Sequence, residues 1–150
     1  MGKLEPLGKA ESADLLIKLY ELRREPTMRE ARTWFALHCN PATSDDLAGI
    51  VSGPHSAHFR MVISYWDMAA SFVNNGAIDE QMFNDANGEH LVAFAKIEPF
   101  LAGQRALLGN PAFLANLEQL VMKTPDAKAR LAAIRERFRQ IAAASADRRS

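Results

Sequence analysis

Apolar residues recur at spacings of three and four along most of the chain, and no stretch sustains a period of two, so the pattern predicts helices throughout and no sheet. Leu15, Leu19 and Leu22 share one face of a helix expected from Ser12 to about Arg24, which Pro26 ends. Thr27 and Glu30 have the T-x-x-E spacing of a capping box for a second helix to about Cys39, closed by Asn40-Pro41. Thr43 and Asp46 begin a short helix that Gly53 is expected to end in the left-handed conformation. Pro54 suits the first turn of a long helix to Asn75, because its missing amide proton has no partner there, and Gly76 stops it. Asp79 caps a short piece ending near Gly88, a helix from Glu89 to Leu108 closes at Gly109, and Asn110-Pro111 and Thr124-Pro125 open two more.

At about 100° per residue, Val62, Tyr65, Trp66, Ala69, Phe72 and Val73 fall on one side of the helix from Pro54. Phe59, Ile63 and Ala70 widen that arc, leaving a polar stripe of Arg60, Ser64, Asp67, Ser71 and Asn74. A helix this apolar needs neighbours on most sides. The expected fold is therefore all-α, a compact bundle of about six to eight helices around a central helix near residues 54–75. Residues 1–150 read as a single domain with flexible ends near 1–10 and 145–150. Composition agrees: Ala occurs 25 times against 12 for Val and Ile together, and 48% apolar residues supply a real core.

Formal charge is zero, so the molecule lacks the overall positive field that gathers nucleic acid or an anionic membrane. Cys39 is the only cysteine, which excludes an intramolecular disulfide and a cysteine cage for metal, and fits a reducing compartment. Lys3, Glu5, Pro6 and Lys9 break any apolar core of a signal peptide, and Pro6 departs from the myristoylation pattern. Met61 to Ile78, interrupted by Asp67, Asn74 and Asn75, falls short of a membrane span. The expected address is the cytoplasm.

On the helix from Glu89, the face carrying Leu91, Phe94, Ala95, Leu101 and Ala102 also carries Glu98 and Arg105, two opposite charges where apolar residues belong. Burying either alone costs several kcal/mol, so they must pair with each other or with polar groups of facing helices. Pro99 removes one helical hydrogen bond, bends the axis and frees a carbonyl near Ala95 that another group must satisfy. His55 and His58, three apart, share a face, but two imidazoles without further ligands predict no metal site, and no cofactor is expected. Together with Tyr65 and Trp66, these residues could line an interior site for a small polar ligand; enzyme action is a subset of that reading and is not favoured.

In the last helix Ala127, Leu131, Ile134, Phe138, Ile141 and Ser145 alternate spacings of four and three, a seam for a partner helix, flanked by Arg135 and Arg139. Residues 126–150 hold seven Lys or Arg against three Asp or Glu, whereas residues 76–98 hold one against five, so the two regions can dock within the chain or across a dimer. The leading expectation is a module that acts by protein contact or self-association through Leu131, Ile134, Arg135, Phe138, Arg139 and Ile141. Nucleic-acid binding by this helix is disfavoured, since its single aromatic, Phe138, belongs to the seam.

Phosphate-loop, dinucleotide and nucleophile-elbow motifs are absent, and Cys39 and His38, adjacent on a helix, point too far apart to act as nucleophile and base. The segments YWDMAASFVNNGAIDEQMF, KIEPFLAGQR and GNP, between Tyr65 and Pro111, resemble a family of short bacterial helical domains of unknown function. The resemblance implies a helix ending in a G-x-I/L-D turn, a brief helix, and a long helix with a late arginine, with Gly76, Ile78, Asp79, Arg105 and Phe113 as family-type positions. It implies no activity, cofactor or catalytic residue.

Overall fold

The computed structural model describes residues 8–148. Its helices are α1 (Lys9–Arg24), α2 (Pro26–His38), α3 (Ser44–Val51), α4 (Ser56–Asn74), α5 (Glu80–Ala86), α6 (Glu89–Ile97), α7 (Leu101–Leu108), α8 (Ala115–Met122) and α9 (Ala127–Asp147), with one 3₁₀ turn, Glu98–Phe100, between α6 and α7. No strand occurs among the described residues. The readings made on residues 1–7 and 149–150 lie outside them, while residues 9–10 and 145–147 are helical.

Helix α4 is the centre of the bundle, packed against α2 and α8 and, less extensively, α3, α5 and α6. Phe59, Val62, Ile63, Tyr65, Trp66, Ala69, Ala70 and Val73 bury the arc predicted for them. Its polar stripe is not wholly solvated. Asp67 Oδ1 accepts the Leu117 amide at 2.9 Å and Asn74 Nδ2 donates to the Asn116 carbonyl at 3.0 Å, so the stripe is where α8 docks. Helix α9 packs on α6, α2 and α8.

Several predicted boundaries hold for the stated reason. Thr43 and Asp46 form the capping box, the hydroxyl accepting from the Asp46 amide at 3.0 Å and the carboxylate from the Thr43 amide at 3.1 Å. Asp79 accepts from the Met82 amide at 2.9 Å. Gly76, at φ 81°, reverses the chain after α4 in a conformation that a β-carbon disfavours.

Others move. Glu25, not Thr27, caps α2, its carboxylate accepting the Met28 amide at 2.9 Å, because Pro26 occupies the first helical position and places the cap one residue before it. Gly53 keeps a negative φ; it is needed for close approach, since a β-carbon there would lie 2.5 Å from the Gly49 carbonyl oxygen. After Asn110-Pro111 and Thr124-Pro125 the chain makes a turn first, and α8 and α9 begin only beyond Leu114 (φ 57°) and Asp126 (φ 53°). Neither residue caps its helix, and Asp67 of α4 does so for α8.

Candidate functional site

Residues 93–97 at the end of α6 are buried without a break, and Lys96 is among them at 3% exposed. Its ammonium donates to the carbonyls of Phe35 at 2.7 Å and Ala36 at 3.1 Å, two of the last-turn acceptors of α2 that no helical amide reaches. The rings of Phe35 and Phe138 lie 5.2 and 4.4 Å from Nζ. Burial lowers the lysine pKa to about 8, and burial likewise pushes the neighbouring Cys39 thiol up to about 12, where it stays neutral and inert.

Pro99 ends α6 immediately after. The carbonyl that its missing amide leaves open, Ala95, accepts from Arg135 Nη1 of α9 at 2.9 Å, and the same guanidinium nitrogen reaches Glu98 Oε1 at 3.2 Å. The carbonyl and the carboxylate that the sequence marked as needing partners are thus satisfied by one arginine of the final helix. Lys96, Arg135, Phe138 and Arg139 surround a cavity of about 30 Å³, room for a single water. A lysine near pKa 8 is chemically suited to attack a carbonyl. With Nζ committed to two backbone acceptors and no space for a substrate, this one closes the α2, α6 and α9 junction.

Arg105 does not face Glu98. Its Nε donates to the Phe113 carbonyl at 2.9 Å and its Nη2 meets Glu118 at 3.0 Å, holding the turn before α8. Tyr65 donates to the Leu19 carbonyl at 2.6 Å. Trp66 is 1% exposed, beneath the Arg23 guanidinium at 5.4 Å. His55 stacks on Trp34 at 4.9 Å with His58 beside it, and no group of three or more metal-ligating side chains is formed among the described residues. Of the six residues considered together for a ligand site, Tyr65 meets Trp66 at 4.9 Å and His55 meets His58 at 5.9 Å, while Glu98 and Arg105 bond to other groups.

Of the seam, Leu131 is 1% exposed, Ile134 and Phe138 are half-buried, and Ile141 is 40% exposed. The acidic stretch finds its cations inside the chain: Glu98 takes Arg135, Glu80 takes Lys123, and Glu89 takes both Arg23 and Arg32. Arg32 approaches Glu89 at 2.8 Å and also donates to the Arg23 carbonyl, clasping α1, α2 and the first turn of α6. Arg23 and Arg32 escaped sequence reasoning because they lie on different helices and converge only through the turn at Glu25. Lys96 carried a signal, a cation within the apolar run VAFAKI.

Residues 10–124 match the model of the family described as Domain of unknown function (DUF4760). The chain belongs to that family. Helices α1 to α8 fall almost wholly within the matched segment and α9 follows it. The family-type positions act structurally: Gly76 supplies the left-handed turn, Ile78 is 1% exposed, Asp79 caps α5, and Arg105 binds the carbonyl of Phe113. No curated protein and no solved structure matches the chain. No helix among the described residues is long and apolar enough to cross a membrane.

Proposed function

We propose that the chain is a helical module that acts by protein contact, its partner being a second copy of itself engaged through the distal half of α9. The observation that carries this reading is the seam that outruns its own support. Leu131 is buried and Ile134 and Phe138 are half-buried, whereas Ile141, one further step along the same stripe, is 40% exposed although the helix continues to Asp147. An apolar stripe that continues past the body of the molecule is best covered by the same stripe of another copy, in a two-fold arrangement. Arg137 and Arg139 beside it keep the surface hydrated and oppose indiscriminate aggregation.

Sedimentation velocity over a wide concentration range tests this with the full chain and Ile141→Glu, an exposed position whose change is expected to preserve the fold, with circular dichroism as the check. The expected result is concentration-dependent dimerisation that the variant weakens about tenfold or more. A full chain that stays monomeric at millimolar concentration, or dimerisation indifferent to the variant, overturns the reading.

A further inference from the structure

At the start of α6, the end opposite Lys96, a cavity of about 370 Å³ opens where α5 gives way to α6 and α8 gives way to α9. Its volume lies at the lower end of the range that encloses small ligands. Two helices begin at its rim. The residues before them, Gly88 for α6 and Asp126 for α9, make no side-chain cap, so first-turn amides of both helices keep their partial positive charge without a capping acceptor.

His90 supplies the independent observation. It lines the cavity and is only 3% exposed, its ring packed on Trp66 at 5.9 Å and Phe83 at 5.1 Å, and its Nδ1 has no hydrogen-bond partner. Leaving a buried imidazole nitrogen unsatisfied is costly, and native interiors seldom do so without a reason. Burial lowers its pKa to about 4, so at neutral pH it is an uncharged donor and acceptor. Around it stand Asn84, Thr124, the Lys123–Glu80 pair bridged at 3.1 Å, and Arg130, which has no carboxylate partner among the described residues. The charged wall thus carries one uncompensated positive charge.

We propose that this cavity binds a small polar molecule through an oxyanion group, a phosphate or a carboxylate, seated at the start of α6 between His90 and Arg130. Helix N-termini, a free guanidinium and hydroxyl and amide side chains are the donors such a group requires, and the enclosed size favours a small molecule over a macromolecule. The site is independent of the distal part of α9, so its failure leaves the self-association reading untouched.

Titration of the ¹⁵N-labelled full chain with inorganic phosphate and, separately, with acetate tests it. The expected result is saturable shifts of the Gly88, Glu89 and His90 amides and the His90 ring nitrogens with at least one probe, and the stronger of the two identifies the oxyanion. Arg130→Gln is expected to weaken that binding about tenfold, and Asn84→Asp, which places a negative charge on the exposed wall, to abolish it. Both positions are on the surface, so the fold survives. Shifts that do not saturate, that lie elsewhere, or that persist unchanged in both variants overturn the proposal.

Discussion

A lysine buried to 3% exposure titrates at about 8 rather than 10.5, and this has a thermodynamic consequence. Between those values the unfolded chain holds a proton that the folded chain has released, so stability rises with pH; below pH 8 both states are protonated and the full desolvation cost is present. Cys39, whose thiol is raised from 9.0 to about 12, works in the opposite sense above pH 9, which confines the clean window to pH 8–9. The unfolding free energy from urea titrations across that window is expected to rise by up to about 1 kcal/mol, and Lys96→Met to abolish the rise. A flat profile in the unaltered chain would mean that Lys96 is better solvated than its contacts imply.

Among the elements, the break at Pro99 and the placement of α9 depend on each other. Arg135→Met strands the Ala95 carbonyl and the Glu98 carboxylate and is expected to cost about 2–3 kcal/mol by denaturant unfolding. In a Pro99→Ala background the restored amide can reach Ala95, and the same substitution should then cost about 1 kcal/mol less. Strict additivity of the two changes would show that Arg135 does not serve that carbonyl. Helix α8 offers a parallel case, since its free amide is capped from α4: Asp67→Ala is expected to lower stability by about 1 kcal/mol, seen as a drop in Tm. The open carbonyl near Ala95 was legible in the sequence, because proline chemistry alone creates it. Its partner was not, for a donor forty residues away is brought near only by packing.

For the whole molecule, α9 divides into a half that belongs to the bundle and a half that leaves it. Ending the chain after Lys123 removes Leu131, Ile134 and Phe138 from their contacts and uncovers Lys96, and is expected to cost about 3 kcal/mol or more, measured as a lost or lowered unfolding transition. Ending it after Gln140 should leave the monomer's stability within about 0.5 kcal/mol, since residues 141–148 are exposed apart from the half-buried Ala142. Equal loss from both truncations would place the stabilising contacts in the distal turns instead.

The helical class, the central place of the helix near residues 54–75 and most of the boundaries followed from the sequence alone, because periodicity, capping chemistry and proline act over a few residues. So did the need of Glu98 for a partner, since a charge on an apolar face is costly whatever the fold. The identity of each partner rested with the tertiary structure. Glu98 takes Arg135, Arg105 takes Glu118 and the Phe113 carbonyl, and Asp67 caps α8 at Leu117, fifty residues later. Local rules specify which groups are unsatisfied; they carry no distance information between helices. For that reason the acceptors of Lys96 emerged only once α2 lay beside α6, and the burial of His90 only once Trp66 of α4 and Phe83 of α5 packed on it.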